Sequence, residues 1–373
     1  MLLFLWGSSD QRRSVVYGEQ ALALARELNL REQLAFTLND LAYGYMSIGQ
    51  WSAVPAALAE SRTLWRELGN LPMLVDNLSN SVLIHLRAGE YEQAVMASEE
   101  ALSIGRSIGN VWGQAGSQAY VGLVYLERGE PDRAIAIMQE SVRLGEQVGH
   151  PAPIVETRCD LAWTYGLLGA TRDGLELTRL ALARAADTYF LRVYPIAVQA
   201  RLHLLDGDLA SAEAALQAGY RELKPEGLQW FAPILLPLVE AELALARQDG
   251  AHAITVLNKL IADLRESRTR LFIADALYLK GKALLALGRL EEADAVLVEA
   301  RAEAEALGSR RTLWPILIVM SEIDARRGNH AEADSRRRQA REIVEYIADH
   351  AGTPELRASF LGLPHVQDVR RET

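Results

Sequence analysis

The chain has 373 residues, half of them hydrophobic, and its 39 Lys and Arg against 49 Asp and Glu give a formal net charge of −10. That balance argues against nucleic acid as a partner of this chain alone, because phosphate binding needs clustered cations. The single cysteine, Cys159, rules out a disulfide within the chain and fits a reducing cytoplasm, and no apolar run is long enough for a membrane span.

In chain order, Met1 to Trp6 is apolar but too short for a secretion signal and has no basic residues before it. Ser9 to Asn29 reads as a helix without its hairpin partner. Residues 1–30 are therefore expected to form a partial repeat or an unpaired helix, with an apolar flank available for self-association. From residue 31 a pattern of about 40 residues recurs. Its markers are Gly49, Gly89, Gly129, Gly169, Gly207, Gly250, Gly288 and Gly328, and such a period signals a stacked repeat array.

Each unit reads as helix A, a turn carrying the glycine, and helix B. Around Gly129, helix A ends in Tyr120-Val-Gly-Leu-Val-Tyr-Leu-Glu-Arg128, and Pro131 falls in the first turn of helix B, where its missing N–H is tolerated. Glycine after a helix end takes the left-handed conformation at low steric cost. Small residues recur seven before the turn (Ala42, Gly122, Ala162, Ala200, Gly281, Ser321) and five after it (Ala94, Ala134, Gly174, Ala212, Ala293, Ala333). A third ladder runs through helix B at Ala21, Ser61, Ala101, Ser141, Ala181, Gly219, Ala300 and Ala340. Small side chains at fixed helical positions let two helices approach closely. The sixth unit reads as out of step, with Ala253 only three past Gly250. The expected fold is all-α: an α-solenoid of about eight hairpins over residues 31–347, wound into a right-handed superhelix.

The pattern resembles the tetratricopeptide repeat. Gly122, Tyr125, Gly129 and Ala134 match its motif in full, and Ala162, Tyr165 and Gly169 nearly so. The unit is longer than the usual 34 residues. In this respect it is similar to the repeat arms of LuxR-type activators with a maltose-operon-activator-like arm. After Ile347 the repeat stops. Residues 348–373, with Gly352-Thr-Pro-Glu-Leu-Arg-Ala-Ser-Phe-Leu-Gly-Leu-Pro-His365, resemble the closing segment of signalling proteins that place a cyclase or STAND-type ATPase before a repeat tail. Phe360, Leu361 and Leu363 are expected to cap the last repeat.

No phosphate-binding loop and no His-Glu-x-x-His motif occurs, so no catalytic residue, cofactor or metal site is expected. His85 and His203 fall in the slot that Tyr45 and Tyr125 hold. Cys159 reads as a half-buried packing residue, and Arg336, Arg337, Arg338 and Arg341 as a solvated helix face.

The resemblance implies that the A helices line the concave face. Counting from the small residue of each A helix brings Asn39, Asp40, Tyr43, Asp76, Ser79, Asn80, Tyr120, Glu156, Asp160 and Trp163 inward in the first half. The second half offers Tyr194, Arg201, Glu242, Asp275, Tyr278, Lys282 and Glu322. The partner-binding candidates are Asn39, Asp40, Tyr43, Asp76, Asn80, Tyr120, Asp160, Trp163, Arg201, Tyr278 and Lys282. Amides can pair with a peptide backbone, Arg201 and Lys282 can take a carboxylate, and the aromatics suit anchoring. The alternative for any one of them is to solvate a groove or to bridge adjacent helices. The functional expectation is a non-catalytic arm that binds a protein or peptide in bacterial signalling or transcription control. The rival is a sensor of a small molecule or signalling peptide, and a closed aromatic pocket near Trp163 and Arg201 would favour it.

Overall fold

The computed structural model describes residues 11–185, 189–223 and 231–371; Met1 to Trp6 lie outside them. It is a right-handed α-solenoid. Helix α1 (Gln11–Glu27) packs on α2 (Arg31–Ser47), and eight A/B hairpins follow. The first four are α2 with α3 (Val54–Leu68), α4 (Leu71–Ala88) with α5 (Tyr91–Ser107), α6 (Val111–Gln118) and α7 (Val121–Glu127) with α8 (Pro131–Val148), and α9 (Arg158–Leu167) with α10 (Thr171–Arg184). The others are α11 (Tyr189–Leu205) with α12 (Leu209–Glu222), α13 (Ala232–Ala246) with α14 (Gly250–Glu266), α15 (Ile273–Ala286) with α16 (Leu290–Leu307), and α17 (Arg310–Arg326) with α18 (His330–Asp349). Two short helices, α19 (Pro354–Gly362) and α20 (Pro364–Arg370), end the described chain.

The small-residue ladders are the contact lines between helices. Ala42, Ala94, Ala101, Ala134, Ala162, Ala181, Ala200, Ala212, Ala293, Ala300 and Ala340 are fully buried. Where serine replaces alanine, its hydroxyl donates across the hairpin: Ser61 to the Ala35 carbonyl at 3.0 Å and Ser141 to the Ala115 carbonyl at 2.9 Å. A small side chain here sets the interhelical distance, and a satisfied hydroxyl costs little.

The sixth unit is in step after all. Gly250 is not its turn residue but the first residue of α14. Gln248 takes the left-handed conformation instead (φ 63°), and Ala253 falls five residues after it, as in the other units. A second set of left-handed residues, Asn29, Gly69, Gly109, Gly149, Arg268 and Gly308, marks the B-to-A turns halfway between the first set.

Two A helices are interrupted. The third breaks at Ala119–Tyr120 instead of running straight to Arg128. Gly113 and Gly116 weaken its helix propensity, and the Ala119 carbonyl accepts from the buried Thr157 hydroxyl at 3.0 Å. The fourth begins with a π-turn at Pro153–Thr157.

The superhelix closes on itself along a seam. The amides of Arg270 and Leu271 donate to the Arg87 carbonyl at 2.7 and 3.2 Å. The Arg87 guanidinium reaches the Thr269 hydroxyl at 2.8 Å, and Arg310 reaches the Arg128 carbonyl at 2.9 Å. Both of these contacts join residues 182 apart, about four and a half units, so A-to-B turns of one superhelical turn meet B-to-A turns of the next. Further along, the Asp132 amide donates to the His350 carbonyl at 2.8 Å.

The basic cluster of α18 is not simply solvated. Arg336 pairs with Asp324 of α17 at 2.5 Å, and Arg341 donates to the carbonyls of Val369 and Arg371, tying α20 to the last hairpin. Cys159 is fully buried, more than its expected half-burial.

Candidate functional site

The residue six before the left-handed residue of each A-to-B turn occupies one equivalent position in the A helices. In chain order these are Tyr43, Leu83, Leu123, Trp163, Arg201, Glu242, Lys282 and Glu322. In the first half of the array the interior side chains bridge one another. Asn39 donates to Asp76 at 2.8 Å and accepts from Asn77 at 3.1 Å, Tyr43 donates to Asn80, and Asn80 donates to Asp76 at 3.3 Å. Tyr120 donates to Glu156 at 2.6 Å, and Tyr194 to Asp160. These candidates bridge neighbouring A helices. Behind them, the rings of Tyr120, Tyr194 and Phe272 all pack on Phe231, with centroids 5.7 to 6.3 Å apart.

The carboxylates in this interior are held toward their neutral forms. Burial, aided by the charge of Asp76, pushes Asp40 up to about 6. Burial raises Asp76 too, although hydrogen bonds from Asn39 and Asn80 oppose it. Burial lifts Glu156 to about 7 against the Tyr120 hydrogen bond. Asp160 is raised well above its ordinary value by burial, and its Oδ2 has no hydrogen-bond partner among the described residues.

The second half is open inside. A chamber of about 680 Å³ lies between the A helices of the fourth to eighth hairpins, the α7–α8 turn and the C-terminal helices. One wall carries Trp163 of α9 and Arg201 of α11. The Arg201 guanidinium lies 3.9 Å from the Trp163 ring centroid and pairs with Glu242 of α13 at 2.8 Å. Asp275, Tyr278 and Lys282 follow at i, i+3 and i+7 on one face of α15, and the Lys282 ammonium lies 5.5 Å from the Tyr278 ring. Trp314, Ile318 and Glu322, four apart, form a stripe on α17. The roof is Phe360 and His365, whose imidazole stacks parallel to Trp314 with centroids 5.7 Å apart. Burial and the neighbouring Lys282 charge hold that imidazole below its usual pKa.

At the floor, the seam and the chamber share a charged cluster. Arg311 donates to Glu127 at 2.7 Å and, in bidentate fashion, to Asp275 at 2.8 Å. All three side chains are at most 12% exposed. Burial alone would raise Asp275, yet the Arg311 charge and hydrogen bonds hold it below the usual value.

Of the residues the counting brought inward, the structure gathers Trp163, expected in the first half, and Arg201, Glu242, Asp275, Tyr278, Lys282 and Glu322 of the second at this chamber. Asn39, Asp40, Tyr43, Asp76, Asn80, Tyr120 and Asp160 lie outside its lining, nearer the start of the array. The counting missed Glu127, Arg311, Trp314, Phe360 and His365. Trp314 was reachable by continuing the four-residue steps back from Glu322. Glu127 and Arg311 carry no such signal, because they meet only across the seam.

Hairpins in register around an interior chamber define a tetratricopeptide-type helical array. Residues 8–313 match the model of the MalT-like TPR region, and the chain belongs to that family. No curated protein matches the sequence. Among solved structures, the chain is similar to the APC/C hetero-tetramer Cut9–Hcn1, with 14% identity over 97% of this chain and 62% of that one and a TM-score of 0.60. It is also similar to a Rap protein complexed with Competence and Sporulation Factor (11% identity, 90% and 97% coverage, TM-score 0.57). A STAND signal transduction ATPase with a tetratricopeptide repeat sensor from Pyrococcus horikoshii matches at 13% identity, 95% and 55% coverage and a TM-score of 0.44. These identities speak for the fold alone. No helix among the described residues is long and apolar enough to cross a membrane.

Proposed function

We propose that this chain is a non-catalytic regulatory arm that senses a small molecule or a short peptide in the chamber beside Trp163 and Arg201. The single observation that carries this reading is the chamber itself: a drug-sized volume of about 680 Å³ with aromatic walls and a few charged groups. A ligand there touches both sides of the seam. Leu126, Gly129 and Pro131 lie on one side, and Arg311, Thr312 and Trp314 on the other. Occupancy therefore favours the closed superhelix over an opened one, which is the differential affinity a switch requires. The output is a restrained or released partner, either an attached ATPase or cyclase or a separate protein in bacterial signalling or transcription control. By analogy, the Rap protein of similar fold was solved with Competence and Sporulation Factor.

The second reading is the interaction scaffold, with a protein or peptide on the interior faces of the first hairpins. It is favoured by the half-exposed Asp40, Tyr43, Asp76 and Asn80 at that end. Native mass spectrometry of the protein with fractionated small molecules and peptides, followed by hydrogen–deuterium exchange, separates the two. The sensor reading expects a bound mass that Ile318→Trp, which fills the chamber, abolishes. It also expects slowed exchange at residues 87–91, 127–132, 269–272 and 309–312. Binding that leaves seam exchange unchanged would refute it, and binding blocked by Asn80→Ala instead would favour the scaffold.

A further inference from the structure

We infer that the chamber takes an amphiphile with an apolar body and one anionic head, a carboxylate, whose charge is met by Lys282. This deepens the ligand-site reading above and rests on it.

Two groupings of the chamber's charges are ion-paired, and the unpaired remainder, Lys282 and Arg326 against Glu322, carries one positive charge in excess. Arg201 is held by Glu242. Arg311 is held by Glu127 and Asp275. Glu322 and Arg326, four apart on α17, line the chamber without an ion pair among the described residues. Lys282 makes no ion pair among the described residues; its ammonium faces the Tyr278 ring. The adjacent His365, stacked on Trp314, is biased toward its neutral form and offers a hydrogen bond without a second charge. An unmatched ammonium at the chamber is complemented by an anion, and a charge-assisted hydrogen bond is about twice as strong as a neutral one.

The rest of the lining calls for an apolar body. Leu279, Leu285, Ile318 and Phe360 face the same space. A polyhydroxylated ligand would need side chains with free hydrogen-bonding capacity, and the two largest polar groupings, Arg201–Glu242 and Arg311–Glu127–Asp275, are already engaged with each other. A cationic ligand would find one unpaired carboxylate, Glu322, against the two unpaired cations Lys282 and Arg326.

Isothermal titration calorimetry with decanoate, 1-decanol and decyltrimethylammonium, below their micelle-forming concentrations, tests this on the full chain. Wild type should bind decanoate at one site, at least about tenfold tighter than the other two probes, a difference of about 1.4 kcal/mol. Lys282→Met should lose about tenfold in decanoate affinity and all preference over decanol, whereas Lys282→Arg should keep the preference. Lys282 is exposed, so both variants should fold, and circular dichroism checks that they do. Equal binding of the three probes, or a preference that survives in Lys282→Met, overturns the inference. If decanol or the cation binds best and Ile318→Trp abolishes that binding, the anionic head is wrong while the ligand site stands. If no probe binds wild type, the amphiphile inference fails, and the ligand-site reading is judged by its own mass-spectrometric test.

Discussion

Replacing Arg311 by methionine removes the cation that joins the two superhelical turns and leaves two carboxylates buried without it. Glu127 and Asp275 are 6% and 9% exposed. After the change Glu127 retains the Ser309 hydroxyl, and Asp275 retains the Thr312 hydroxyl at 3.4 Å, a backbone hydrogen bond and the Arg201 charge. Breaking a buried ion pair by deleting one partner costs about 3–5 kcal/mol, most of it the penalty of an uncompensated buried charge. The pH dependence should change sign. In the wild type Asp275 is held below its ordinary pKa, so its contribution is present above the unfolded value and lost as pH falls through the folded one. Without Arg311, burial is opposed only by the Arg201 charge and a backbone hydrogen bond, so the Asp275 pKa rises and the variant should recover stability as pH falls. Urea denaturation at pH 5 and pH 8 reads both effects. Adding Glu127→Gln and Asp275→Asn to the variant should restore much of the loss, because no buried charge then remains. A loss below about 1 kcal/mol, or a penalty independent of pH, would refute the reasoning that this cluster is a buried charge triad.

Other expectations follow from single sites. Glu156 titrates near 7 in the fold because of burial, so its contribution is present below the unfolded carboxyl pKa and lost as pH rises through about 7. Glu156→Gln should flatten that part of the stability–pH curve and stabilise the protein at pH 8, as urea melts at several pH values would show. Gln248→Gly should stabilise by up to about 1 kcal/mol by relieving a left-handed non-glycine residue, and thermal melts should show Gln248→Val doing the opposite. Ala134→Leu inserts bulk where α8 meets the preceding A helix and should cost about 1–3 kcal/mol or more, measured by the same melts.

Much of the fold was legible because each hairpin depends on its own residues and its nearest neighbours. The ladder through Ala94, Ala134 and Ala212 fixes which helix faces meet, and the turn residues fix where the chain reverses. Gln248 escaped the glycine pattern because a left-handed turn tolerates glutamine at modest cost, and nothing in its residue type announces the conformation. Half of the candidate site was legible for the same reason. Trp163, Arg201, Glu242, Lys282 and Glu322 share one helical position, so a single offset finds them all. The division of the interior was not legible. Whether Asp160 or Arg201 meets a neighbour or a chamber depends on superhelical pitch, on the Phe231 and Phe272 rings packed at the centre, and on contacts between residues 182 apart. No local pattern encodes these.

Closure of the superhelix underlies both the chamber and its proposed use, and a cysteine pair across the seam tests it directly. A Cβ placed on Gly352 would lie 3.5 Å from the Asp132 Cβ, at the near edge of disulfide geometry; Gly352 has φ 91°, so Gly352→Cys alone is the control for the strain a side chain adds there, and the native Cys159 is buried. Under mild oxidation, Asp132→Cys with Gly352→Cys should form an intramolecular disulfide in nearly all molecules, seen as faster migration on non-reducing gels and as a mass loss of about two hydrogens. Two thiols that stay free in a folded protein would contradict closure.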